Sequence, residues 1–222
     1  MKYTGRITGL TITIMAIIAI RIYAYIYLNY SFSHPPIVGV IGLFIAFWIG
    51  KQYDKVKFYS ERDSLTGLYN RRFVDNLFSP LLAQMDRRNE KLSISIWDCD
   101  NFKAINDRYG HKKGDLVLQE FSALLLTSTR KSDIVARWGG DEFLIIAPYA
   151  DEEDMKLIVN RFKNRLHDLS EKLQIDISVS SGYAIYPSDA KTIDGLINIA
   201  DSKMYDLKNR RGIVDITNNN FI

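Results

Sequence analysis

The chain has 222 residues, 47% apolar and 25% charged, with a net charge of +3. That charge is too small to drive nucleic-acid binding through bulk electrostatics, so no nucleic-acid partner is expected. A lone cysteine, Cys99, rules out an intrachain disulfide, and the length suits one globular domain of about 100–200 residues plus an appendage.

The appendage comes first. Ile7 to Leu28 is almost continuously apolar with Arg21 as its one charge, and Pro35 to Gly50 carries none. Crossing a bilayer takes about 20 apolar residues, with about 17 near the lower limit. Two spans are therefore expected, over 7–28 and, shorter, over 35–50. The first run exceeds the roughly 7–15 residues of a signal-peptide core, and no small-x-small site follows it, so residues 1–50 read as a hairpin and not a cleaved leader. Lys2 and Arg6 flank one end and Lys51, Lys55 and Lys57 the other, whereas Asn29 to His34 holds no Lys or Arg. Positive flanks stay inside, which places both termini in the cytoplasm. Tyr23, Tyr25, Tyr27 and Tyr30 mark the outer interface, and Arg21 is expected to snorkel towards it.

Composition turns polar at Lys51, and residues 51–62 read as a linker helix leaving the membrane, with Val56 and Tyr59 as partner-facing positions. Beyond Asp63 helices and strands alternate. Leu92–Trp97 is a strand ending in acidic residues, and Gly114–Thr127 has helical spacing. Asp133–Trp138 and Glu142–Ala147 flank a Gly-Gly pair as a hairpin would. Asp151–Leu173 is a long amphipathic helix, Asp176–Tyr186 a strand and Thr192–Lys208 a further helix. This order predicts an α/β (α+β) sandwich, a mixed central sheet with an antiparallel component covered by helices.

The chemistry is concentrated in Arg137-Trp138-Gly139-Gly140-Asp141-Glu142-Phe143. A glycine pair lets backbone approach a ligand with no Cβ in the way, and two carboxylates follow it. Asp98 and Asp100 close the earlier strand, and strand alternation puts them on one face. If the two strands are neighbours, these carboxylates meet at one sheet edge. Hard oxygen ligands there suit magnesium, which binds one or two carboxylates plus substrate phosphates and supports two-metal nucleotidyl transfer. Taken singly, Gly-Gly-Asp is a common turn and Asp a common helix cap.

Taken together, the segments resemble the GGDEF diguanylate cyclase family over residues 60–212. The opening motif is Asp63-Ser64-Leu65-Thr66-Gly67-Leu68-Tyr69-Asn70-Arg71-Arg72. Asp98-Cys99-Asp100-Asn101-Phe102-Lys103-Ala104-Ile105-Asn106-Asp107 is similar to the metal and guanine segment, followed by Gly110-His111-Lys112-Lys113-Gly114-Asp115. Ser180-Ser181-Gly182 and Ala200-Asp201-Ser202-Lys203-Met204-Tyr205 match the closing strand and helix.

The resemblance implies a nucleotide-cyclase or polymerase-palm-like domain over 63–213, with 214–222 as a tail. It implies that Asp98, Asp141 and the main-chain carbonyl of Cys99 ligate magnesium, with manganese as its substitute. Asn106 and Asp115 would read guanine, Asp115 accepting from N1–H and the exocyclic amine and Asn106 pairing with O6 or N3. Phe102 and Lys103 would offer backbone and charge to the triphosphate beside Gly139 and Gly140. Glu142 would assist the metal site or the attacking hydroxyl. Arg130-Lys131-Ser132-Asp133 resembles the family's product-inhibition segment, with Arg161 completing it from the next helix. The family usually has Lys, two residues, then Gly-Arg; here Lys208 stands but the last pair reads Arg211-Gly212. Either Arg210 or Arg211 reaches the phosphates or the grip is weaker.

The implied function is condensation of two GTP into cyclic di-GMP by a homodimer, with feedback by the product, in a multi-pass protein of the bacterial inner membrane and its lipid, the catalytic domain facing the cytoplasm. The alternative is a catalytically silent receptor for cyclic di-GMP or GTP, or a scaffold at the membrane.

Overall fold

The computed structural model describes residues 3–29, 31 and 37–219, with side chains as far as Asn209. Lys2, Tyr30, Pro35, residues 32–34 of the hairpin connection and the side chains of Arg210 and Arg211 lie outside the described residues. The chain divides into two units, Met1–Glu61 and Arg62–Ile222.

The first unit is a pair of helices, α1 (Thr4–Leu28) and α2 (Ile37–Ser60). Both are long and apolar enough to cross a membrane, with mean hydropathies of 1.9 and 1.3. The expected second span and linker are one uninterrupted helix, because Gly50 and Lys51 continue the α2 ladder without a break. Two glycines set the crossing. A Cβ on Gly50 would stand 2.6 Å from the Gly5 carbonyl oxygen and 2.7 Å from Arg6 Cα. Asp54 then accepts from the N–H groups of Gly5 (2.6 Å) and Arg6 (3.3 Å). Its carboxylate so satisfies donors that a helix start leaves open, and it sits 3.2 Å from Arg6 Nε.

The second unit is built on a five-stranded sheet of β1 (Tyr69–Asn70), β2 (Leu92–Cys99), β3 (Ile134–Arg137), β4 (Glu142–Pro148) and β5 (Val179–Tyr186). Their order is β1-β3-β4-β2-β5, with β1 parallel to β3 and the other pairs antiparallel. The expected mixed sheet is therefore present. The helices are α3 (Arg71–Arg88), α4 (Phe102–Tyr109), α5 (His111–Ser128), α6 (Glu152–Leu173) and α7 (Ile193–Asn219).

Strand alternation sorts the core into two layers. Trp97, Cys99, Phe143 and Ile145 pack with Phe121 of α5 and Phe162 of α6. Ile94, Ile96, Leu144 and Ile146 pack with Val74 and Phe78 of α3 and with Leu196 and Ala200 of α7. Every residue of β2 is buried, as a central strand covered on both faces must be. Its serines are paired internally: Ser93 Oγ donates to the Ala150 carbonyl (2.8 Å), and Ser95 Oγ accepts from Trp97 Nε1 (2.8 Å).

Of three departures from the sequence expectations, the first two have local causes. Arg71–Arg88 forms a helix that hydrophobic spacing did not announce; its cap is Asn70, whose side chain accepts from the Phe73 N–H at 3.0 Å. The last strand starts at Val179 and not Asp176, because Ser170 Oγ bonds both the N–H (3.2 Å) and the carbonyl (3.3 Å) of Ile177. The last helix runs past Lys208 and Gly212 to Asn219.

Candidate active site

β2 hydrogen-bonds to β4 on one side and β5 on the other, and the register sets Asp98 opposite Glu142 and Ser180. Two acidic segments far apart in sequence thus end at the same sheet edge. Asp98 and Glu142 share the face covered by α7, since Ile96 and Leu144, two residues back and two on, both belong to the α7-side layer. Asp141 is drawn in by the backbone: the Cys99 N–H donates to its carbonyl at 3.2 Å. That bond places the Cys99 main chain beside Asp141.

The Gly139-Gly140 turn is closed by the Trp138 and Gly139 N–H groups, both donating to the Glu142 carbonyl (2.8 and 3.2 Å). Neither glycine is in the left-handed region; among the described residues the positive-φ glycines are Gly67 and Gly110. What the turn gains is space, since a Cβ on Gly140 would meet nothing within 4 Å. Arg137 fixes the turn, its Nη2 (2.6 Å) and Nε (3.1 Å) donating to the Gly140 carbonyl while Nη1 donates to Asp63 Oδ1 at 3.1 Å.

The electrostatics are those of crowded anions. Burial raises the pKa of Glu142, and the charges of Asp98, Asp141 and Asp201 raise it further against the pull of Lys208. Burial likewise raises Asp98, opposed by the ammonium of Lys208, whose Nζ lies 2.6 Å from Asp98 Oδ1. The Cys99 thiol is pushed up to about 12 by burial and the neighbouring carboxylates. It stays protonated in the core, leaving only its carbonyl as a ligand.

The donors fit magnesium: hard carboxylate oxygens with surplus negative charge, plus a main-chain carbonyl. Among the described residues no three His, Cys, Asp or Glu side chains converge tightly enough to enclose an ion. A metal there needs two carboxylates, the Cys99 carbonyl and oxygens from a substrate.

Asp100 lies near Asp98, as expected, but its carboxylate is taken up by serines. It accepts from Ser178 Oγ (2.8 Å) and Ser180 Oγ (2.7 Å), and Ser180 stands opposite Asp98 in the register, so Asp100 is held near Asp98 while tied to the β5 side. The strand ends at Cys99, so alternation no longer governs it.

Beyond the strand, Phe102 and Lys103 form the first turn of α4, whose N-terminus no side chain caps, an arrangement suited to phosphate. α4 and α5 meet at Gly114, where a Cβ would stand 1.9 Å from Asn106 Oδ1 and 3.2 Å from the Phe102 ring. Asn106 Oδ1 is buried there without a hydrogen-bond partner among the described residues, and Asp115 is exposed one residue further on. Asn106 and Asp115 are therefore brought to one junction.

The Arg130 N–H donates to Asp133 Oδ2 at 2.7 Å, and its guanidinium is paired with Asp154. Burial raises the Asp133 carboxyl, with the Arg130 N–H and Ser132 opposing it. Arg161 is exposed on α6, and among the described residues no hydrogen bond or ion pair joins it to Arg130 or Asp133. Sequence reasoning missed Asp201, seven residues before Lys208 and so on the same helix face, and gave no partner to Asp63 or Arg137. Their motif positions were visible; their contacts were not.

The family model for the GGDEF domain of diguanylate cyclases matches residues 60–212. The chain is 37% identical over 152 residues to the diguanylate cyclase DosC of Escherichia coli, covering 67% of this chain and 33% of DosC. It is 37% identical over 150 residues to the diguanylate cyclase TpbB of Pseudomonas aeruginosa, covering 66% and 34%. The chain thus spans about a third of the length of these curated relatives. The structure of the TpbB GGDEF domain superposes with a TM-score of 0.60 at 34% identity, over 67% of this chain and 89% of that one. The GGDEF domain of DgcB from Caulobacter crescentus, solved in complex with cyclic di-GMP, superposes with a TM-score of 0.60 at 25% identity, over 69% and 89%. With its acidic sheet edge, its Gly-Gly turn and this match along residues 60–212, the chain belongs to the GGDEF-domain diguanylate cyclase family.

Proposed function

We propose that the chain is a diguanylate cyclase that condenses two GTP into cyclic di-GMP and two pyrophosphates. The observation that carries this is the antiparallel register setting Asp98 against Glu142, with Asp141 held to the Cys99 main chain beside them. In each half-reaction the 3′-oxygen of one GTP bonds to the α-phosphorus of the other, and the bond to the β-phosphate breaks. Magnesium held by Asp98, Asp141 and the Cys99 carbonyl supplies charge neutralisation at the phosphate oxygens and a lowered hydroxyl pKa.

The chain's residues do the rest. Asn106 and Asp115 hold the guanine, the buried Asn106 carbonyl oxygen finding its donor on the base. The start of α4, Lys103 and Lys208 hold the triphosphate, and Gly140 lets it lie against the backbone. Glu142, with its raised pKa, stands beside the metal ligands, where it can take the hydroxyl proton. Because one site holds one GTP, two chains must face each other, and the product, docked on Arg130 and Asp133, damps the rate. The α1–α2 hairpin seats the protein in a bacterial inner membrane, with residues 63–213 as the cytoplasmic catalytic domain and the last turns of α2 as the connection.

The test incubates the purified chain with GTP and magnesium and follows pyrophosphate and cyclic di-GMP. Product in a 1:2 ratio to pyrophosphate is expected. Binding of cyclic di-GMP without turnover would make the chain a receptor instead.

A further inference from the structure

We infer that Lys208 is a built-in stand-in for the cation: it neutralises Asp98 before metal and nucleotide arrive, and is released to the triphosphate when they do. The inference rests on the metal site proposed above.

Asp98 is nearly buried, with 9% of its side chain exposed, and its carboxylate lies within the influence of Asp141 and Asp100. A carboxylate in such a place is costly without a counter-charge. The counter-charge present is Lys208, 2.6 Å away and 110 residues on in sequence. It arrives from α7, on the helix face that also carries Asp201.

Lysine suits a counter-ion that must leave. Its ammonium is a compact point charge on a flexible stem, without the planar fork by which arginine locks onto a carboxylate. Lys208 is 40% exposed while its partner is not, so the mobile end of the pair is the cation. A divalent ion bound by Asp98 would add positive charge close to the ammonium, and the two would repel, so ion and ammonium compete for the carboxylate. Metal binding therefore weakens the hold of Asp98 on Lys208, and the nucleotide's triphosphate then offers the ammonium a new partner. Metal alone binds against this competitor; metal with nucleotide gives the lysine a new partner. The device makes the two ligands cooperative.

Removing the ammonium should accordingly act in opposite directions on the two ligands, which structural damage would not do. The full chain in detergent micelles is titrated with manganese(II) alone, reading free ion by electron paramagnetic resonance. Lys208→Met should bind manganese about five- to tenfold more tightly than wild type, from relief of charge repulsion, and Lys208→Arg should stay near wild type. Lys208→Gln, which keeps a donor without the charge, should tighten as Met does. The same neutral variants should bind 3′-deoxy-GTP, which cannot be condensed, several-fold more weakly. Unchanged or weakened manganese affinity in both neutral variants overturns the stand-in role. Asp141→Ala should abolish manganese binding, leaving the free-ion signal undiminished; if the ion still binds that variant, the metal-site reading fails first and the stand-in role with it.

Discussion

Among the described residues of the helical unit Met1–Glu61 the buried ones are Gly5 and Gly50, while among those of Arg62–Ile222 the largest buried side chains are Trp97, Phe78, Phe121, Phe143 and Phe162. The bulky residues of the first unit are turned outward: Phe44 is 72% exposed and Trp48 62%. In water that would be an inverted protein. In lipid it is expected, because acyl chains are as apolar as leucine and helices associate through close backbone contact at small residues. Each unit nonetheless has a glycine where a helix comes close to another element's backbone. Gly50 admits α1, and Gly182 admits α7, where a Cβ would stand 2.1 Å from the Ala200 carbonyl oxygen and 2.4 Å from the Met204 nitrogen. The same device serves both units, while the bulky side chains around it are turned outward in the first and inward in the second.

The sharpest test of the division removes chemistry from one unit alone. Asp141→Ala should reduce cyclase turnover to background while the far-ultraviolet spectrum and unfolding temperature stay close to wild type, because Asp141 is half-buried at a turn and belongs to neither core layer. Near-normal turnover with magnesium would sink the two-metal reading. Next in size is feedback. Arg130→Ala should leave the initial rate nearly unchanged and weaken inhibition by added cyclic di-GMP by roughly 5- to 150-fold, the usual range of coupling between sites. Equal inhibition of the two forms, or a pattern purely competitive with GTP, would remove that site.

The glycines test the comparison directly. Gly182→Ala should destabilise Arg62–Ile222 by about 1–3 kcal/mol, as overpacking does, since the atoms in the way are backbone and cannot swing aside. Gly50→Ala should leave the unfolding of that unit unchanged and loosen the α1–α2 pair, read as faster proteolysis within residues 1–61. If both variants moved the same transition, the units would not be independent. Smaller again is base selection. Asp115→Ala should weaken GTP binding by about 1–2 kcal/mol through a lost charged acceptor and narrow the preference over ATP. An unchanged preference reassigns Asp115 to structure.

How far the sequence could be read follows from the same contrast. The hairpin is a property of composition, so its two helices were visible as apolar runs. β2, β4 and β5 were visible as apolar or alternating stretches, and the Gly-Gly hairpin between β3 and β4 lay where the turn residues put it. The convergence of Asp98 and Glu142 was conditional on two strands being neighbours, which periodicity cannot decide and the β2–β4 register supplies. Contacts across long separations were illegible: Lys208 with Asp98, Arg137 with Asp63, and Asp100 with Ser178 and Ser180. α3 escaped because its cap, Asn70, lies inside a motif and Pro80, on its exposed side, reads as a helix breaker. Arg211, the displaced phosphate candidate, has its side chain outside the described residues.

The smallest effect concerns the point where the second unit begins. Asp63 accepts from the Thr66 N–H (2.9 Å), from Thr66 Oγ1 (2.7 Å) and from Arg137 Nη1 (3.1 Å), so one carboxylate closes the opening turn and braces the guanidinium that holds the Gly140 carbonyl. Partial burial alone would raise its pKa, but the Thr66 hydrogen bonds and the Arg137 charge outweigh it, and the net shift is downward. A carboxylate whose folded pKa lies below its unfolded value of about 3.9 favours the folded state while ionised. That contribution is complete above the unfolded pKa and is lost as pH falls through the folded one. Being partly exposed, the pair is worth about 1 kcal/mol or less. Asp63→Asn should thus be less stable than wild type at pH 6 by up to about that amount, and the gap should close below about pH 4 as wild-type Asp63 takes up its proton. Denaturant unfolding at several pH values measures the gap. A difference that stays constant or widens towards acid would mean that Asp63 contributes shape rather than charge.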